Sequence, residues 1–213
     1  MNFDPLYIEK LAQTLRSPLP GLEAHLHMAP PMFRKFAEQM KVPPSARTAA
    51  VLLLLYPHEN KLYIPFMRRT QDGRVHGGQI SFPGGRVEQE DKDLTHTALR
   101  EAEEEIGVPA REVEILGSLS ELYIVPSNFV VHPRVAFLDH RPEFFPSEEE
   151  VDEIIEVEVD ILLRPETRQL MSKKFANGKV LETPAYVIRE DVKIWGGTSM
   201  MLAEFLKVFK NIY

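Results

Sequence analysis

The run Arg100-Glu101-Ala102-Glu103-Glu104-Glu105-Ile106-Gly107 places four carboxylates within five residues. On a helix, Glu101 and Glu105 stand one above the other, with Glu104 beside them. Like charges at that spacing repel, and the C-terminal end of a helix dipole already disfavours negative charge. A divalent cation reverses the sign of that cost, because Mg²⁺ and Mn²⁺ prefer carboxylate oxygens. The competing reading is a solvated acidic helix face, the usual fate of a Glu run. A second acidic segment, Glu148 to Asp160, holds eight acids in thirteen residues. From Glu156 onward these alternate with Val157, Val159 and Ile161 and read as the solvent face of a strand. Glu150 or Glu153 is a candidate general base or further metal ligand.

Cations gather as well. Arg68, Arg69, Arg74 and Arg86 fall within nineteen residues, a cluster suited to a small phosphorylated ligand because guanidinium pairs bidentately with phosphate. His25 and His27 have a spacing that could ligate a metal on a strand, but with no third ligand nearby they read as surface histidines. Trp195 reads as a core side chain, with stacking on a base as the alternative. No Ser or Cys arrangement supports covalent catalysis.

The elements that must position these groups follow from periodicity and punctuation. Thr48 to Tyr56 is a near-continuous apolar run, expected of a strand buried on both faces. Lys61 to Arg68 reads as its hairpin partner, and Gln79 to Phe82 as a short strand inside a Gly-rich stretch. Asp93 to Ile106 is the clearest helix: Asp91 or Asp93 can cap it, Gly107 can take the left-handed C′ position, and Leu99, Ala102 and Ile106 form one buried stripe. Strands are expected at 113–122, 130–138, 153–161 and 186–195. Thr198 or Ser199 can cap a final helix with an apolar face of Leu202, Phe205, Leu206 and Phe209. Residues 1–45, broken by prolines at 18, 20, 30, 31, 43 and 44, read as a helical arm packed on a main domain of residues 46–213. The fold class expected is α/β.

Composition narrows the function. The 213 residues carry 25 Lys+Arg against 32 Asp+Glu, a net charge of −7, which argues against non-specific nucleic-acid binding. The absence of cysteine excludes disulfides and thiolate zinc sites. The longest apolar stretch, Ala49 to Tyr56, is too short to span a bilayer, and the N-terminus has no basic or apolar leader pattern. A soluble, cytoplasmic protein with no membrane partner is expected.

The stretch from Ile64 to Val108 resembles the Nudix family of pyrophosphohydrolases. The family signature is Gly, five residues, Glu, seven residues, then Arg-Glu-apolar-x-Glu-Glu-x-Gly-apolar. Arg100, Glu101, Ala102, Glu104, Glu105, Gly107 and Val108 match it, and Phe82-Pro83-Gly84-Gly85 matches the loop that opens it. The departure is Asp91, in place of Glu and followed by eight rather than seven residues before Arg100. A second resemblance, to the coenzyme A pyrophosphatase subgroup, rests on Arg69, Arg74, His76, Gly78, Gln79 and the following Phe-Pro-Gly-Gly, with Thr70 for Ser and Gly73 for Leu. Ile194-Trp195-Gly196-Gly197-Thr198 is also similar to that subgroup's C-terminal segment.

The resemblance implies an α/β/α sandwich with a central mixed sheet, and Mg²⁺- or Mn²⁺-dependent hydrolysis of a pyrophosphate bond in a small nucleotide substrate. It implies Glu101, Glu104 and Glu105 as metal ligands with the Gly85 carbonyl, and Arg100 with Glu104 and Glu105 as the catalytic group. Arg69, Arg74, His76 and Gln79 are implied to bind substrate, or else to hold their loop together. Coenzyme A would yield 4′-phosphopantetheine and adenosine 3′,5′-bisphosphate. ADP-ribose or a dinucleotide is the alternative substrate, and a non-catalytic nucleotide-binding Nudix fold is the alternative of another class. A homodimer is compatible with all of these readings.

Overall fold

The computed structural model describes residues 3–71, 77–174, 178 and 180–212. In chain order its elements are α1 (Leu6–Thr14), α2 (Leu22–Leu26), α3 (Pro31–Phe36), β1 (Arg47–His58), β2 (Lys61–Arg69), β3 (Ile80–Ser81), β4 (Gly84–Arg86), α4 (Leu94–Ile106), β5 (Glu114–Ser118), β6 (Leu122–Ile124), β7 (Phe129–Phe137), β8 (Val151–Glu158), α5 (Val159–Leu163), β9 (Arg168–Lys174), β10 (Val180–Arg189), β11 (Val192–Trp195) and α6 (Gly196–Lys210).

β1 is the centre of the molecule, and its composition says why. Ala50, Leu52, Leu54 and Tyr56 point to one side, where they pack with Ala98, Ala102 and Ile106 of α4. Ala49, Leu53 and Leu55 point to the other, into a cluster that includes Leu202, Phe205 and Phe209 of α6. A strand covered on both faces needs apolar residues at every position, which the run supplies. β1 runs parallel to β7 and antiparallel to β2 at its C-terminal end and to β4 near its start. The main sheet is therefore mixed, with β3-β2-β1-β7-β5 as its path and β4, β6 and β8 pairing onto it. Helices cover both of its faces, giving an α/β/α sandwich.

α4 forms where its signals put it. Asp93 accepts the backbone N–H groups of Thr95 and His96, each at 2.8 Å, and Gly107 closes the helix at φ 73°. Asp93, not Asp91, is thus the cap, which leaves Asp91 free for another role. The buried stripe is Ala98, Ala102, Glu105 and Ile106, with Leu99 at its edge. A carboxylate in that stripe is the first sign of a site.

Several expectations need correction. The segment 113–122 forms no single strand; β5 ends at Ser118 and β6 starts at Leu122. The segment 186–195 is a hairpin, β10 turning into β11, and the exposed edge strand β9 completes a separate antiparallel sheet. α6 begins at Gly196, so neither Thr198 nor Ser199 caps it. Ser199 is fully buried and its hydroxyl donates to the Gly196 carbonyl at 2.8 Å.

His25 is not on the surface. The N-terminal helices bring Ile8, Leu11, Leu15 and Met28 into the same core as α6, and His25 is buried with them. Its Nε2 lies 3.0 Å from Oε2 of Glu204, which is itself fully buried. Glu204 also accepts N–H bonds from Gly21 at 2.8 Å and Ser120 at 3.0 Å, and the Ser120 hydroxyl at 2.7 Å. Burial pushes the Glu204 carboxyl up, but these bonds outweigh it and its pKa ends below the usual value. Among the described residues no helix is long and apolar enough to cross a membrane.

Candidate active site

The site is assembled where the C-terminal half of α4 leans on β4. Gly84 sits at φ 150°, where a side chain would strike the Ala50 carbonyl and Val51. That close approach turns the Gly84 N–H toward α4, where it donates to Glu105 Oε2 at 2.7 Å. Arg69, at the end of β2, donates from Nη1 to the other oxygen, Oε1, at 3.1 Å. Glu105 is only 2% exposed. Burial pushes its carboxyl up to about 8, even though Arg69 and the Gly84 N–H act against that, and Glu101 and Glu150 add to it.

Glu101, one turn earlier, lies against Gly85 so closely that any Cβ there would overlap its carboxylate. Arg100 Nη2 reaches Glu101 Oε1 at 3.0 Å, and Nη1 reaches the exposed Glu104 Oε2 at 2.9 Å. Burial also raises the Glu101 pKa, with Arg100 opposing. Arg100 is oriented in turn by Asp91, which accepts from its Nε at 3.0 Å and its Nη2 at 3.1 Å. The lengthened loop before Arg100 therefore still delivers a carboxylate to it. The Asp91 side chain is buried and also accepts from Thr97 Oγ1 and the Glu88 N–H, each at 2.9 Å, with His96 Nδ1 2.8 Å away. The Arg100 guanidinium holds the Asp91 carboxyl far below the ordinary carboxylate range.

The acidic face of α4 is thus not a solvated one: Glu101 and Glu105 turn inward. Nor do its carboxylates converge freely. Among the described residues, no three His, Asp or Glu side chains form a ready cation cage, because Arg69 and Arg100 supply the countercharge. The donor set nevertheless suits a hard cation. It consists of oxygens only, and the missing side chain at Gly85 lets the Glu101 carboxylate lie directly against the backbone there.

The late acidic segment divides. Glu153 is held by Arg68 at 2.9 Å and by Arg189, so it is an ion-pair member on the sheet surface. Glu150 lies 3.8 Å from Arg69 and remains half exposed beside the Glu105 carboxylate pair. The later acids are not a bare solvent face. Glu156 accepts the Tyr56 hydroxyl at 2.6 Å and pairs with Arg141, and Glu158 pairs with Lys61 at 2.8 Å.

On the α6 side of the sheet a cavity of about 570 Å³ opens next to Gly84 and Gly85. Arg69 and Gln79 line it, as do Arg47, Arg86, Phe129 and Trp195. Trp195 is therefore a cavity wall and not a core residue. Among the described residues no Asp or Glu lines the cavity, although the chain as a whole is acidic. Ser81 also lines it, and its buried hydroxyl has no hydrogen-bond partner among the described residues. Arg74 and His76 lie outside the described residues. Arg47 and Phe129 escaped sequence reasoning because the parallel pairing of β1 with β7 is what sets them side by side.

Comparison with known proteins bears on this geometry. A family model described as NUDIX domain matches residues 46–178. An uncharacterized Nudix hydrolase NudL of Pectobacterium atrosepticum is 39% identical over 128 residues, covering 57% of this chain and 66% of that protein. The peroxisomal coenzyme A diphosphatase NUDT7 of Mus musculus is 37% identical over 122 residues, covering 57% of this chain and 51% of that one. The chain therefore matches between half and two thirds of the length of these relatives. Among solved structures, a MutT/nudix family protein from Enterococcus faecalis superposes with a TM-score of 0.53 at 17% identity, covering 98% of this chain and 76% of the other.

Proposed function

The chain belongs to the NUDIX domain family, and from that premise we propose that it is a divalent-cation-dependent hydrolase of a pyrophosphate bond, with coenzyme A or a derivative as substrate. One observation carries the reading. The carboxylate face of α4 and a cavity lined by arginines and aromatics, with no acid among its described lining residues, meet at the same two glycines. A substrate with an anionic diphosphate and a flat base fits that meeting point. The coenzyme A assignment draws further on the Arg69 and Gln79 loop signature and on the likeness to the mouse enzyme.

Glu101, Glu104 and Glu105 would hold the cation, with the Gly85 carbonyl as a further ligand; Mg²⁺ or Mn²⁺ suits this oxygen set. When bound, it supplies charge neutralisation on the diphosphate and lowers the pKa of water. The chain's own residues prepare this. Gly84 N–H fixes one Glu105 oxygen, Arg100 clamps Glu101 and Glu104, and Asp91 fixes Arg100. Arg69 stands at the border of the carboxylates and the cavity, where its guanidinium can pass from Glu105 to a substrate phosphate oxygen. Glu150 is better placed than the ion-paired Glu153 to take the proton of the attacking water at its carboxylate.

The test is product analysis by mass spectrometry after incubation with coenzyme A, ADP-ribose and NADH, each with Mg²⁺ or Mn²⁺. Release of 4′-phosphopantetheine well ahead of the other products supports the reading. Preferential cleavage of ADP-ribose or NADH overturns the substrate and keeps the reaction. Binding without turnover of any of the three overturns the hydrolase reading in favour of a nucleotide-binding module.

A further inference from the structure

Two arginines of the cavity have no countercharge among the described residues. Arg47 opens β1 and Arg86 closes β4, and the antiparallel register sets Ala49 opposite Arg86. Arg47, two residues from Ala49, therefore lies on the same face as Arg86 and diagonal to it, with Cβ atoms on the order of 7–8 Å apart. Both line the cavity. Arg68, Arg69 and Arg100 are each neutralised by carboxylates, whereas neither Arg47 nor Arg86 meets one among the described residues. Arg47 is nonetheless held in place. Its guanidinium lies 4.0 Å from the centroid of the Phe129 ring, and Nη2 donates to the Ser127 carbonyl at 2.9 Å. Much of the ordering cost of that long side chain is thus met before any ligand arrives.

Two neighbouring like charges facing a cavity with no acid among its described lining residues repel each other, and a dianion between them turns that repulsion into attraction. Arg86 also ties this place to the reaction centre. It follows Gly85, and its carbonyl accepts Arg100 Nη2 at 3.2 Å. Arg47 lies three strand positions from Ala50, the residue opposite Gly85, or on the order of 10 Å. That is too far to share the phosphate held against α4.

We infer that Arg47 and Arg86 form a second anion subsite, which receives a phosphate monoester carried on the nucleoside end of the substrate. This rests on the proposed pyrophosphatase function and names what selects its substrate. Arg69, which pairs with Glu105 at the border of the carboxylates, is assigned to the diphosphate and not to this subsite.

The experiment is titration calorimetry in metal-free buffer with adenosine 3′,5′-bisphosphate and with adenosine 5′-monophosphate, on the full chain and on Arg47→Gln, Arg86→Gln and Arg47→Lys. The unaltered protein is expected to bind the bisphosphate at least about tenfold more tightly, the scale of one charge-assisted contact. Each Gln variant should lose most of that preference, and Arg47→Lys should keep part of it. In parallel, the ratio of kcat/KM for coenzyme A over its 3′-dephospho form should fall toward one in both Gln variants. Equal binding of the two nucleotides by the unaltered protein, or an intact preference in correctly melting Gln variants, overturns the subsite. Equal cleavage of the two coenzyme forms by the unaltered protein also overturns it while the hydrolase reading stands. Preferential bisphosphate binding without coenzyme A cleavage supports the subsite and overturns the hydrolase reading.

Discussion

Asp91→Asn tests whether the Asp91–Arg100 pair is what positions the carboxylate face of α4. The substitution keeps volume, so it opens no cavity, and its cost is electrostatic. All the fixed hydrogen bonds to Asp91 come from donors: Oδ1 accepts Arg100 Nε and Oδ2 accepts Arg100 Nη2, Thr97 Oγ1 and the Glu88 N–H. An amide NH₂ must therefore face donors whichever way it turns. The milder arrangement puts it at the Oδ1 position, where His96 Nδ1 can switch to acceptor but Arg100 Nε cannot. Removing one charge of a buried pair costs about 3 kcal/mol, which for a chain of this length lowers Tm by about 6–12 °C.

The pH dependence carries the sharper signature. The Asp91 pKa is depressed in the folded protein, so the unfolded chain binds the proton first as pH falls. The stabilisation is complete above the unfolded value of about 4 and is lost progressively below it. Urea unfolding at neutral pH, pH 5 and pH 3.5 should show a constant gap between the two proteins at the higher pH values and a narrower one at the lowest. kcat should fall as Arg100 loosens. A gap below about 1 kcal/mol at neutral pH would refute the reasoning, because one charge-assisted bond alone exceeds it. So would a gap that does not change down to pH 3.5.

Three further outcomes are expected. Glu105→Gln should cut turnover by at least about a hundredfold, the scale of losing one transition-state charge contact, with the circular dichroism spectrum retained; near-normal rates would remove Glu105 from the catalytic group. Gly85→Ala should lose activity because its methyl must displace the Glu101 carboxylate, and an unchanged rate in the same steady-state assay would show that Glu101 tolerates displacement. Glu204→Gln should destabilise the protein by about 3 kcal/mol and speed limited proteolysis within residues 1–45. Because the Glu204 pKa is lowered on folding, that difference should be complete at neutral pH and shrink as pH falls below about 4. An unchanged digestion pattern would separate the arm from the Glu204 network.

The fold was legible where the cause of an element is local. The run from Thr48 to Tyr56, the cap at Asp93 and the Gly107 stop act within a few residues of themselves, so they can be read from the chain alone. β9 could not be read, because five of its first six residues, and its last, are exposed and it shows no alternation. It exists because β10 offers it a partner along seven register pairs. The split of 186–195 into two strands depends on the same sheet. His25 looked like a surface residue because its partner lies at Glu204, and no pattern in either neighbourhood announces a contact across the molecule.

The candidate site divides along the same line. Its carboxylates and glycines are close in sequence, because a helix turn and a tight loop must present them together, and they could be picked out as a motif. What neutralises and feeds them is distant in sequence: Arg69 comes from β2, Arg47 from β1, Phe129 from β7 and Trp195 from the turn into α6. The difference changes the chemistry assigned. Read as a string, Glu101 to Glu105 is an unbalanced negative cluster that calls for a metal ion, and Arg69 is a free cation that calls for a phosphate. Folded, Arg69 and Glu105 are each other's partner, and Arg100 spans Asp91, Glu101 and Glu104. The chain's own cations therefore neutralise the cluster in part, two arginines against four carboxylates. Under the proposed function Glu105 would hold the cation as well as Arg69, and that guanidinium stands on the wall of the cavity where a substrate diphosphate would lie. Cation loading and substrate capture would then share one side chain, a coupling that neither motif discloses on its own.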